Sequence, residues 1–298
     1  MADKNTSESF TPRSPQVKKK NNFVIVARRL MKNRSAVIGL SIVLVFVILA
    51  VLAPWVSPYE YDKIDLFNKF SKPSAEHWLG TDEMGRDILS RLLYGGRYSL
   101  SLGIFSVLLP MIVGSALGAI AGFFGGKVDL IIMRTMDIFQ AIPDMLLCIA
   151  MSAVLGTGLF MTVIAMSFTR MPAFCRMLRA QFMSVGQQEY IEAANSMSIS
   201  KPRIILKHIL PNAWSPLIVQ ATMMVSTSLL VASSLSFIGL GVQAPTPEWG
   251  AMLAAARNYI RDYPHLIIAP GIPIIATVLG LNMFGDALRD ALDPKLKN

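Results

Sequence analysis

The sequence predicts an all-α membrane protein with six transmembrane helices, and three observations carry that prediction. Hydrophobic residues make up 53% of the 298 and charged ones only 16%, with a positive mean hydropathy, a balance unlike that of soluble domains. Several windows of more than 20 residues hold no Asp, Glu, Lys or Arg, and a helix crossing a bilayer needs about 20 apolar residues. Finally, threading the chain through six spans from a cytoplasmic start leaves twenty Lys and Arg inside and eight outside. That bias sets orientation in membrane proteins, so the formal charge of +9 marks a membrane side rather than a nucleic-acid footprint.

Residues 1–34 are expected to be a cytoplasmic tail, and its first stretch, from Met1 to about Asn22, is polar with Lys18, Lys19 and Lys20 near the end, a composition that predicts disorder. The long polar stretch ahead of the first apolar run argues against a cleavable signal peptide. The segment 35–97 holds span one, charge-free from Arg34 to Glu60 with Trp55 at its outer edge, and an external loop. Span two lies within 98–126, between Arg97 and Lys127. Its Gly114, Gly118 and Gly122 recur every fourth residue. Such a face lets two backbones approach closely, which is how helices hold together in lipid.

The middle is less regular. Residues 145–169 are charge-free but broken by Gly156-Thr157-Gly158, too short for two full spans. Span three is expected to start between Arg134 and Asp144, and span four to continue past Arg170. A re-entrant hairpin would return the chain to the same side. Span five runs from about Trp214 to Leu240 and is rich in hydroxyls at Ser226, Thr227, Ser228, Ser233, Ser234 and Ser236. Polar residues in a span face the bundle or a water-filled path, or bond back to their own helix. Ser226, Thr227, Ser233 and Ser234 are the candidate path lining. Span six occupies 263–285, and 291–298 form a cytoplasmic C-terminal tail.

Between spans four and five lies a polar, basic interruption, Glu189 to Asn212. Its periodicity gives two short helices. Ile191, Ala194 and Met197 share a face of the first; Ile204, Ile205 and Ile209 share a face of the second. Ser200 and Pro202 suit the second helix's first turn, and Pro211 is expected to end it. A structured polar hairpin between two spans reads as a docking surface.

The triplet Glu192-Ala193-Ala194, a turn position at Ser198, and Ile209-Leu210-Pro211 resemble the EAA loop of ABC importer permeases. In that family the loop sits in a cleft of the ATP-hydrolysing subunit. Three further stretches narrow the resemblance to the C-type subunits of the oligopeptide/dipeptide group. They are Trp78 to Gly103, Ser236 to Leu253, and Phe284 to Pro294. The resemblance covers about residues 25 to 298 and implies a type I ABC importer permease fold with a five-helix core over 98–290. The coupling loop would be 187–212, with Glu192, Ala193, Ala194, Ser198, Leu210 and Pro211 as the contact to the ATPase.

The same resemblance implies a bacterial inner-membrane heterodimer with a second permease, two ATP-binding subunits and an extracytoplasmic substrate-binding protein. ATP and Mg would be bound by the partner subunits, leaving no cofactor in this chain. The cargo would be di- or oligopeptides, with nickel chelates, glutathione or another small solute as alternatives. The family usually has Gly where this chain has Ser198, a position expected to be a left-handed turn.

Outside the spans, Asp82, Arg86, Asp87 and Arg91 alternate in charge at helical spacing, as on an exposed interfacial helix. Pro245, Pro247 and Trp249 suggest a stiff loop with an aromatic anchor at the outer surface. Both are expected to meet the binding protein. Catalysis finds no support. The single Gly-Lys pair, Gly126-Lys127, is followed by Val128, and Ala121 stands where a phosphate-binding loop needs its first glycine. Two cysteines, Cys148 and Cys175, give no disulfide framework, and His77, His208 and His265 lie far apart, so no metal site is expected. An intramembrane enzyme would need acid, base or metal residues within spans, and Arg134, Asp137 and Asp144 read better as surface or packing residues. A self-sufficient transporter would show internal repeats and no docking loop.

Overall fold

The computed structural model describes residues 22–197, 199–205 and 209–292. Among them the chain is helical, with α1 (Asn22–Lys32), α2 (Arg34–Val56), α3 (Ile88–Phe124), α4 (Gly126–Gln140), α5 (Asp144–Leu155) and α6 (Leu159–Gly186). Two short helices follow, α7 (Glu189–Ser196) and α8 (Lys201–Ile204), then α9 (Leu210–Phe237), α10 (Trp249–Ala256) and α11 (His265–Leu292). Four of these, α2, α3, α9 and α11, are long and apolar enough to cross a membrane. The pair α4 and α5, bent by 90° at a short break, is long and apolar enough only when the two are taken together. The 28 residues of α6 reach about 42 Å, enough to cross, although Arg170, Arg176 and Arg179 interrupt its apolar character. The expected six spans are thus four apolar helices, one bent pair, and α6 on length.

Helix ends follow from capping chemistry. The Asn33 side chain accepts from the amides of Ser35 and Ala36 and starts α2. Asp87 accepts from the Ser90 amide at 2.7 Å and starts α3, ten residues before the charge-free window opens. With 37 residues, about 55 Å, α3 runs well beyond the hydrocarbon layer. The break between α5 and α6 is made by Gly156 and Gly158, both at positive φ, and the Gly158 amide donates to the Gly241 carbonyl across the loop after α9.

Packing is organised around α6, which lies along α3 for most of its length and also meets α4, α5 and α9. A second seam joins the first and last spans: α2 packs on α11, with a Cβ at Gly39 falling 2.5 Å from the Gly280 carbonyl and one at Gly280 2.9 Å from that of Gly39. One apolar core joins Phe174, Leu178 and Phe182 of α6 to Leu217 of α9; another joins Ile88, Leu229, Trp249 and Ile274.

Two details of the polar interruption differ from expectation. Pro211 does not end a helix: it stands in the first turn of α9, where its missing N–H has no intrahelical partner to lose. Met197 does not share the apolar face of Ile191. Its helix stops at Ser196, and Met197 is exposed in the following turn. Ser198 and its expected left-handed turn lie outside the described residues, as do 206–208.

Candidate functional site

The polar interruption is mounted on the bundle by its isoleucines. Ile191 from α7, Ile204 from α8 and Ile209 ahead of α9 are all buried, packed in one core with Phe182 and Val185 near the end of α6. The opposite side is open: Glu189, Ser200, Arg203 and Pro211 are exposed. Glu192, Ala193 and Ala194 lie in α7, their side chains outside the described residues. Leu210 is half-buried and Pro211 exposed at the start of α9, so these two belong to the base of a span, directly after the helix pair. A push on α7 and α8 would therefore reach α6 and α9 through packed side chains. Beside them a cleft of about 450 Å³ opens between the ends of α3 and α6, lined by Phe123, Phe124, Met183 and Gln187 among others.

The glycine face of α3 lies against α6 in a fixed parallel register. A Cβ at Gly114 would meet the Met171 carbonyl at 2.6 Å, one at Gly118 would fall on the Cys175 carbonyl, and one at Gly122 would meet Phe182 Cβ at 2.7 Å and the Arg179 carbonyl at 2.9 Å. The partner helix belongs to this same chain. At that end α6 is also tied to α4, where Arg179 makes a bidentate pair with Asp129 at 2.5 and 2.6 Å. Arg176 bonds Asp137 at 2.6 Å, and Arg134 lies 3.6 Å from Asp137, so Arg134 and Asp137 are engaged in surface ion pairs, while Asp144 is exposed at the start of α5.

The hydroxyl-rich span divides into two sides. Ser226 and Ser233 are buried, and Ser226 donates to Asn282 of α11 at 2.6 Å, which makes it a packing residue. Thr227 and Ser234, seven positions apart, are exposed on another side, each bonded to a carbonyl of its own helix. Thr227 also accepts from Arg170 of α6 at 3.2 Å. This guanidinium within a span was legible in the sequence only as a limit to an apolar window.

The charged stretch before α3 is not an exposed helix. Asp82, Arg86, Asp87 and Arg91 are all buried. The backbone turns at Gly85, with φ of 73°, which folds the alternating charges onto one another. Asp82 Oδ2 lies 2.7 Å from Arg86 Nε and 3.4 Å from Arg91 Nε, and His77 Nδ1 lies 2.9 Å from Asp87 Oδ1. Trp249 is likewise no surface anchor. It is buried and donates from Nε1 to the Leu92 carbonyl at 3.0 Å. Beside it Glu248, fully buried, caps α10 through the amides of Gly250 and Ala251 and accepts from Ser99 at 3.0 Å. Burial pushes its carboxyl above the usual glutamate range, against those donors.

A helical bundle of several apolar spans, with a polar helix pair seated at the junction of two of them, defines a multi-pass membrane permease. The chain belongs to the family of binding-protein-dependent transport system inner membrane components, which matches residues 114–298, and residues 22–73 match the N-terminal TM domain of oligopeptide transport permease C. Its fold resembles a chain in an inward-facing structure of the MetNI methionine ABC transporter, with a TM-score of 0.56 at 18% identity, covering 68% of this chain and 96% of that one. The dipeptide transport system permease protein DppC of Alkalihalophilus pseudofirmus is 45% identical over 91% of this chain and 89% of its own length. The glutathione transport system permease protein GsiD of Pectobacterium atrosepticum is 44% identical over 91% and 90%. The probable D,D-dipeptide transport system permease protein DdpC of Escherichia coli is 39% identical over 97% of each chain. The family is a component of transport systems, so the chain is a permease and not an enzyme.

Proposed function

We propose that this chain is one permease of a heterodimeric, ATP-driven importer of di- or oligopeptides, fed by an extracytoplasmic binding protein. The observation that carries the reading is the α7–α8 pair, seated by three buried isoleucines at the junction of α6 and α9. In this reading Glu192, Ala193, Ala194, Ser198, Leu210 and Pro211 form or support the contact with an ATP-binding subunit. Two such subunits hold ATP and Mg; this chain holds no cofactor. Both termini and Lys201 are cytoplasmic, while 60–97 and 242–263 face outward to the binding protein. The dipeptide relatives support the cargo assignment. Glutathione, itself a tripeptide, is the second cargo to weigh, because a glutathione relative is 44% identical.

Uptake in a strain lacking this chain tests the proposal, with labelled dipeptide, glutathione and nickel compared before and after the gene is restored. Restored dipeptide uptake is expected. Restored nickel uptake alone would overturn the cargo assignment, and no restored uptake with an assembled complex would overturn the importer.

A further inference from the structure

Arg170 stands eleven residues into α6, about 17 Å along its axis and so near the middle of a hydrocarbon layer about 30 Å thick. A guanidinium at that depth is costly unless it faces a partner or a water-filled path. Its partners within the chain are few. One terminal nitrogen donates to Thr227 at 3.2 Å, while Nε is buried without a hydrogen-bond partner among the described residues. Asp144, exposed at the first turn of α5, is near enough for its charge to act on Arg170. No ion pair joins them among the described residues. The guanidinium is thus positioned by Thr227, without an ion pair among the described residues, and set where α5, α6 and α9 meet, beside the exposed hydroxyl side of α9.

From this geometry we infer that Arg170 is the residue of the translocation path that receives the carboxylate of the passing cargo. The inference rests on the peptide reading above and deepens it. Every unmodified peptide carries a terminal carboxylate whatever its side chains, and an arginine fork binds a carboxylate through two parallel, charge-assisted hydrogen bonds. One such contact suits a path: it offsets the desolvation of the carboxylate at mid-membrane without the many contacts that would trap the cargo.

The complete importer, reconstituted with its binding protein in proteoliposomes, is given labelled dialanine and dialanine amide. Arg170→Gln should lower dialanine uptake about tenfold, the loss expected from one charge-assisted bond, and lower amide uptake less than twofold. Arg170→Lys, which keeps the charge, should retain dialanine uptake within about threefold. The yield of assembled complex should not change in either variant. Equal losses for acid and amide, unchanged dialanine uptake in Arg170→Gln, or a fall in assembled complex would each overturn the inference; the last would make Arg170 a contact between subunits. A wild-type importer that carries neither peptide would instead remove the peptide reading itself.

Discussion

Gly118 of α3 and Cys175 of α6 lie backbone against backbone: a Cβ on the glycine would occupy the place of the cysteine carbonyl. Because that contact is internal to the chain, Gly118→Leu should damage the folded subunit before any interface with a partner. Overpacking at a tight contact costs about 1–3 kcal/mol or more. The expected result is a lower thermal midpoint for the subunit purified alone in detergent. A variant as stable alone as the wild type, but poorly assembled, would place the glycine face at an intersubunit contact.

The Asp129–Arg179 pair ties α4 to α6. Either Asp129→Asn or Arg179→Gln should lower stability by about 1 kcal/mol, the upper range for a partly exposed pair. The exchanged double variant, Asp129→Arg with Arg179→Asp, should recover part of the loss. Additive losses in the double variant, read from denaturation midpoints, would show that the pair contributes nothing.

Glu248 supplies a prediction with a sign in pH. Its carboxyl is raised by burial, and a group raised in the folded state contributes stability present below its unfolded value and lost as pH climbs through the folded one. The thermal midpoint should therefore fall as pH rises above the ordinary glutamate value of about 4.3, and Glu248→Gln should flatten that part of the curve. Glu248→Ala, which strands two amides and the Ser99 hydroxyl, should cost about 3 kcal/mol. Indistinguishable pH profiles for wild type and Glu248→Gln would assign the dependence to other groups.

Glu192→Lys addresses coupling. The substituted chain should insert and assemble while ATP hydrolysis no longer drives uptake. Uptake per ATP hydrolysed, measured in proteoliposomes, checks this, and an unaltered ratio would leave Glu192 a simple surface charge.

Orientation is open to cysteine labelling. With Cys148 and Cys175 replaced, a single cysteine at position 201 should be silent to an impermeant reagent in intact cells, and one at position 66, on the far side of span one, should react. Reaction at 201 would invert the topology.

Much of the fold was legible because lipid imposes a simple demand: backbone groups must be satisfied within helices, so long charge-free runs announce themselves. The breaks at Gly156 and Gly158 were readable for the same reason. Charge-based windows failed where charges are neutralised locally. Asp82, Arg86 and Arg91 looked solvent-exposed, yet Gly85 lets the chain fold them onto each other. The same rule set the start of α3 ten residues late. Trp249 looked like an interfacial anchor because its partner, the Leu92 carbonyl, lies 157 positions away. Pro211 suits a helix end or a helix start, and only the chain's path beyond it decides. Gly39 and Gly280 carry no local pattern, so their meeting had no signal in the sequence.

That meeting of Gly39 with Gly280 has a consequence for biosynthesis. The first span leaves the ribosome some 236 residues before the last one is complete, a delay on the order of 10–50 s at ordinary translation rates. Throughout that interval α2 has none of its final neighbour on α11. Once α3 is made it can pack on that helix, but the side that meets α11 must wait against lipid. Closure of the subunit is thus a late event, and a chain truncated before Gly280 would strand its first helix, a ready substrate for membrane quality-control proteases.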